Sequence, residues 1–126
     1  NFDSAAGLVY TVDVTKPYGN RICITSLADG RAFDPEASYN VAMTSYRANG
    51  GGNTMPLGTG ITDVEADGRV VARYPEIRDL IGEYISKHGT ITPELLSDPK
   101  IIGSWKFIPE SSASRIEKDM DLLFAR

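Results

Sequence analysis

The 126-residue chain contains one cysteine and one histidine. Cys23 alone cannot form an internal disulfide, and His88 alone cannot supply a histidine-rich metal site, so most metalloenzyme chemistry is excluded for this chain by itself. Basic charge is also short, with 13 Lys and Arg against 17 Asp and Glu and a net charge of -4. That balance lays down no electrostatic footprint for a phosphate backbone and disfavours a nucleic-acid duplex as partner. No apolar run approaches the length of a membrane span, and no charged-then-apolar leader pattern is visible at the start. Asn1 rather than Met stands first, which points to a processed product, an excised domain or the tail of a longer chain.

What is present is an ordinary globular composition. With 41% hydrophobic and 24% charged residues and a mean hydropathy of -0.21, the chain falls outside the disordered and membrane classes. Its length suits one domain with one buried core and is too short for two. The expectation is a single domain over 1–126, without internal repeats or a dividing linker, in which 110–126 form an extra terminal helix.

Leu8, Tyr10, Val12 and Val14 alternate with the period of a half-buried strand, and Lys16 to Asn20 read as a turn. A second strand runs from Arg21 to Leu27, ending at the turn Ala28-Asp29-Gly30, so the two predict a hairpin. Tyr39, Val41 and Met43 suggest a third strand leading into the glycine-rich stretch Ala48 to Gly60, which reads as the longest irregular loop. Ile77, Leu80, Ile81, Tyr84 and Ile85 fall at helical spacing, with Pro75 suited to the first turn and Gly89 to the position after the last. Thr92-Pro93-Glu94 suggests one more turn, and Trp105, Phe107 and Ile108 a final strand closed by Pro109. Ser114 with Glu117 resembles a capping box that opens a helix with Ile116, Met120, Leu123 and Phe124 along one stripe.

Chemistry concentrates in Tyr46-Arg47-Ala48-Asn49-Gly50-Gly51-Gly52. On its residues alone this reads first as a turn at a strand end and second as a ligand loop. Three glycines let backbone approach a ligand closely, and an aromatic beside them can offer a ring face to a flat heterocycle. The glycines continue into Asn53-Thr54-Met55, so a phosphate-binding P-loop is excluded, and Gly58-Thr59-Gly60 lacks the context of a dinucleotide fingerprint. His88 reads as a residue favoured by the helix dipole, Cys23 as a small core residue and Trp105 as a packing anchor. Asp119 and Asp121 point in different directions and form no carboxylate pair, and Ser111, Ser112 and Ser114 read as loop and cap residues.

Phe2-Asp3-Ser4-Ala5-Ala6-Gly7-Leu8, Gly19-Asn20-Arg21-Ile22, Phe33-Asp34-Pro35, Tyr39-Asn40-Val41-Ala42 and the Tyr46 to Gly52 run occur in an order that resembles the C-terminal domain of the 5'-nucleotidase family. With Ile77 to Ile81, Tyr84-Ile85 and Trp105 downstream, the chain looks most like the branch of 2',3'-cyclic-nucleotide 2'-phosphodiesterases and 3'-nucleotidases, from Phe2 to about Phe107. The resemblance implies an α/β fold, layered and with mixed sheets flanked by helices, of which this chain holds about one of two interwoven repeats. It implies a substrate-binding role. Tyr46 stands where the family places one of two rings that sandwich the base, Gly7 matches a glycine at the base edge, and Gly50 and Gly51 match loop glycines beside the pocket; the loop from Arg47 to Asn53, with Asn49 and Gly52 in it, is expected to border the base. Many relatives follow the glycine pair with Asp; Gly52 here favours the cyclic phosphodiesterase branch over a strict 5'-nucleotidase or sugar-nucleotide hydrolase.

No cofactor is expected in this chain, and two divalent metals are expected in a separate N-terminal metallophosphatase domain. The second stacking ring lies upstream of anything matching Asn1, so weak nucleoside binding by this chain alone is expected, with the missing half supplied by another segment or by self-association. The resemblance further implies export to the periplasm or cell surface. The competing expectation is a free-standing nucleoside-binding module without catalysis.

Overall fold

A computed structural model describes residues 3–94, 97 and 104–124. The chain divides into two compact units, one formed by residues 1–35 with 92–126 and the other by 36–91.

The first unit is built on β1 (Leu8–Asp13), β2 (Ile22–Leu27), β3 (Ser104–Ile108) and the last helix in chain order, α4 (Glu110–Phe124). The strands form one sheet in the order β2-β1-β3. β1 and β2 are the expected antiparallel hairpin, with Val12 opposite Ile22, Tyr10 opposite Ile24 and a bulge between Val9 and Tyr10. β3 returns parallel to β1, pairing Tyr10 with Trp105 and Val12 with Phe107. A mixed three-stranded sheet with helices bears out the α/β class.

Alternation along β1 decides which face is covered. Tyr10 and Val12, each 5% exposed, are the buried hydrophobic residues among those described. The Tyr10 ring stacks on Trp105 at 6.0 Å, and Phe107 meets Trp105 edge-on at 5.1 Å, so Trp105 is the packing anchor its sequence position suggested. The Tyr10 hydroxyl accepts a hydrogen bond from the Ala5 amide at 3.2 Å, which ties the segment before β1 to the same cluster. Cys23 is exposed rather than in the core. It sits opposite Thr11, and Thr11 sits opposite Lys106, so these three positions share the other, polar face of the sheet.

Helix α4 begins at Glu110, directly after Pro109, earlier than the expected cap at Ser114. Ser111, Ser112 and Ser114 are therefore helical, not loop residues, and the Ser114 hydroxyl donates back to the Ser111 carbonyl at 3.0 Å. Glu110 in the first turn suits the positive end of the helix. The stripe Ile116, Met120, Leu123 and Phe124 is exposed. The expected turn at Thr92 to Glu94 is present at Pro93 and Glu94, where the Ser97 amide donates to the Glu94 carbonyl at 3.1 Å; the positions beyond it, up to β3, lie outside the described residues apart from Ser97 itself.

The second unit is helical. It contains α1 (Ser45–Ala48), a 3-10 turn at Gly51–Asn53, α2 (Thr54–Thr59) and α3 (Ile77–His88). The third strand is not formed: residues 38–44 adopt neither strand nor bridge, and Tyr39, Val41 and Met43 are exposed. Alternating side chains permit a strand, but a strand persists only against a second one. Nor is 48–60 an irregular loop, since local hydrogen bonds fold it into successive short helical turns. The longer irregular runs lie at 28–44 and 60–76.

Helix α3 matches its expected apolar spacing, though its N-cap is Glu76 and Pro75 stands before the helix rather than in its first turn. The Gly89 amide closes it on the Ile85 carbonyl at 2.7 Å, and Lys87 and His88 occupy the last turn, where cations are favoured. His88 stacks on Tyr84 one turn back at 4.4 Å. Neither α1 nor α2 packs against α3, which leaves Ile77, Ile81, Tyr84 and Ile85 exposed.

Candidate functional site

Thr44 has extended backbone angles and opens α1, its hydroxyl accepting from the Arg47 amide at 3.4 Å. That single turn carries Tyr46 and Arg47, so Tyr46 sits on a helical turn and not at the end of a strand. The helix stops at Asn49, whose amide donates to the Ser45 carbonyl at 2.9 Å. Gly50 then adopts φ 87° and the chain reverses, its amide bonded to the Arg47 carbonyl at 3.1 Å. Gly52 (φ 70°) and Asn53 (φ 58°) are also left-handed, and the Asn53 amide closes the bend on the Gly50 carbonyl at 2.9 Å. Asn is among the few side chains that tolerate this region.

Each glycine answers a different constraint. Gly50 turns the chain through a left-handed conformation that side chains resist. Gly51 lies so close to Tyr46 that a Cβ there would stand 2.6 Å from ring atoms Cε1 and Cζ, and nearer still to the Tyr46 carbonyl oxygen. At Gly52 a Cβ would collide with the Arg47 guanidinium, which donates from Nη1 to the Gly51 carbonyl at 3.0 Å and lies over the Tyr46 ring at 5.4 Å from its centroid. The outcome is a tyrosine ring with bare backbone close beside it and a guanidinium over it, on a residue that is 62% exposed. An exposed ring of this kind has a face that a planar heterocycle can cover.

Of the residues singled out from sequence, the structure gathers Tyr46, Gly51 and Gly52 into this knot, with Gly50 as its pivot. Asn49 ends the helix and is exposed, lining a shallow polar depression of about 300 Å³ with Thr62, Asp63 and Glu65. Tyr46 lines neither this depression nor the neighbouring one, about 360 Å³, formed by Thr59 to Asp63 with Ala66, Asp67 and Arg69. Gly7 belongs to the first unit, where it precedes β1 with φ 83° and its carbonyl accepts from the Ala28 amide at 2.9 Å. Sequence reasoning assigned no part to Arg47 in holding the ring; its only signal is its place between an aromatic and a glycine run.

Charged groups near the bend are occupied locally. Asp63 Oδ1 accepts from the amides of Glu65 and Ala66, Arg69 pairs with Asp67, and Arg73 with Glu65. Among the described residues no group of three or more His, Cys, Asp or Glu could hold a metal ion. In the first unit, the Thr15 hydroxyl and amide hold Asp13 below its ordinary pKa, and the Arg31 amide and guanidinium do the same for Asp29. No helix among the described residues is long and apolar enough to cross a membrane.

The family model described as 5'-nucleotidase, C-terminal domain, covers the hairpin, α1 and the glycine bend. Residues 1–59 match that family. The resemblance read from the sequence motifs is thereby borne out over this segment. The chain is 29% identical over 126 residues to a trifunctional nucleotide phosphoesterase protein, YfkN, of Bacillus subtilis (strain 168), a match covering 90% of this chain and 8% of that protein. It is 28% identical over 129 residues to a 2',3'-cyclic-nucleotide 2'-phosphodiesterase/3'-nucleotidase of Haemophilus influenzae, covering 93% of this chain and 18% of that one. The chain thus spans less than a fifth of either relative's length. No solved structure matches it.

Proposed function

We propose that the chain is a nucleotide-substrate-binding portion of a metal-dependent nucleotide hydrolase, of the 2',3'-cyclic-nucleotide 2'-phosphodiesterase and 3'-nucleotidase kind. The observation that carries this is the exposed Tyr46 ring on its glycine bend, within a segment matching the 5'-nucleotidase C-terminal domain. In this reading Tyr46 stacks on the base, while Asn49 and the glycines of the bend border it. The names of the two relatives supply the substrate class, a nucleotide phosphoester.

Catalysis resides elsewhere in this reading. In this reading a separate N-terminal metallophosphatase domain would hold two divalent metals, whose chemistry when bound would be activation of water, and holding the base fixes where the phosphate lies. This chain contributes position and no reacting group. The second ring of the sandwich comes from another segment or from self-association, and the assembled protein acts in the periplasm or at the cell surface.

The test is Tyr46→Ala in the full-length protein, assayed with 2',3'-cyclic AMP, 3'-AMP and 5'-AMP. Stacking is worth about 1 to 3 kcal/mol per base, so kcat/KM falls roughly 5- to 150-fold. Unchanged kinetics on all three substrates would remove Tyr46 from the site.

A further inference from the structure

We infer that Arg47 is a positioning residue for base stacking: it fastens the Gly50 to Gly52 bend to the Tyr46 ring, so that the ring stands ready before a base arrives. The inference rests on the base-stacking reading of Tyr46 given above. Neighbouring side chains on a helical turn diverge, so a guanidinium over the ring of the preceding residue needs a second anchor to keep it there. That anchor is the hydrogen bond from Arg47 Nη1 to the Gly51 carbonyl at 3.0 Å. Gly51 is the very residue whose missing Cβ lets the backbone lie against the ring, and Gly52 is the one whose missing Cβ admits the guanidinium. One cation thus ties together the ring, at 5.4 Å from its centroid, and the bend behind it.

The consequence is preorganisation. An exposed tyrosine on a four-residue helix has rotamer freedom that stacking would remove, and a ring already held loses less on binding. Arg47 therefore acts on affinity through Tyr46 and not through the ligand.

The experiment is a double-mutant cycle in the full-length protein, with adenosine as the probe and binding followed by titration calorimetry. Arg47→Met is expected to weaken adenosine binding about three- to tenfold, the range of a cation–aromatic contact plus partial loss of ring order, and Arg47→Lys to restore it to within about twofold. In a Tyr46→Ala background the further change Arg47→Met should have no effect, because the group it positions is gone. Should Arg47→Met not fold, as judged by circular dichroism, Arg47→Gln carries the same cycle with an expected loss of about two- to fivefold that likewise vanishes without the Tyr46 ring. If the Arg47 effect persists undiminished beside Tyr46→Ala, or if Tyr46→Ala weakens binding while the Arg47 variants do not, the positioning role is overturned and the stacking role stands. If Tyr46→Ala itself leaves adenosine binding unchanged, the stacking reading falls and this inference with it.

Discussion

Adding one methyl group at position 51 perturbs the bend at its tightest point. In Gly51→Ala the new Cβ would stand 2.6 Å from two carbons of the Tyr46 ring, whereas carbon atoms settle at about 3.5 to 4.0 Å, so the ring must retreat by about 1 Å. Tyr46 as a residue is 62% exposed, so its side chain has room to shift. The Tyr46 carbonyl oxygen, closer still to the added carbon, has not, because it belongs to the backbone of α1. Overpacking of this kind costs about 1 to 3 kcal/mol. A ring pushed off its backing also presents a displaced face, and losing about 1.4 kcal/mol of a stacking contact is tenfold in affinity. Urea denaturation should therefore show Gly51→Ala destabilised within that range, and calorimetry should show adenosine binding weakened about tenfold. Gly82→Ala in α3 is the control: nothing lies within 4 Å of its Cβ, and removing a helical glycine should stabilise by about 0.5 to 1 kcal/mol. A Gly51→Ala protein as stable as the parent, binding adenosine equally well, would refute the close approach of ring and bend.

Three further outcomes follow from the first unit. Val12→Ala truncates a side chain that, with Tyr10, is buried among the described residues of the central strand, and should cost about 1 to 3 kcal/mol in chemical denaturation, against less than about 0.5 kcal/mol for Thr25→Ser on the exposed side of β2. Asp13 has its pKa lowered in the fold by the Thr15 hydroxyl and amide, so its stabilising contribution is present above the unfolded carboxyl pKa of about 4 and is lost as pH falls through its lower folded value. Asp13→Asn should flatten that part of the acid limb of the stability–pH curve, and an unchanged limb would remove Asp13 as its source. Cys23, exposed on the polar face of the sheet, should react with a thiol reagent in the folded protein as quickly as in urea; protection until unfolding would contradict its placement.

Much of the local structure was legible in the sequence, and the failures share a cause. The β1–β2 hairpin, β3 and α3 announce themselves through periods of 2 and 3.6 bounded by turn residues. Tyr39, Val41 and Met43 carry the same period of 2 yet form no strand, because alternation says which side of a strand would be apolar and nothing about whether a partner is there. Cys23 looked buried since Ile22 and Ile24 flank it, but those flanks lie on the face opposite its own. The capping pattern at Ser114 was genuine as a pattern and misplaced as a boundary, since Pro109 ends β3 and α4 starts at once. At the candidate site, the motif Tyr46 to Gly52 could be singled out from its composition and family resemblance, whereas the distinct task of each glycine and the fastening by Arg47 could not.

By itself the amino-acid order determined the periodic elements, the turn positions, the low basic charge and the motifs shared with the 5'-nucleotidase C-terminal domain, because each depends on residues near one another along the chain. Tertiary structure alone decided that β1 is central with β3 parallel to it, that Tyr10 and Val12 are the buried hydrophobic residues among those described, and that backbone at Gly51 lies close to the Tyr46 ring with the Arg47 guanidinium over it. Pairing and burial compare groups brought together through space, and left-handed angles at Gly50 and Gly52 aim the chain only once the whole bend is formed.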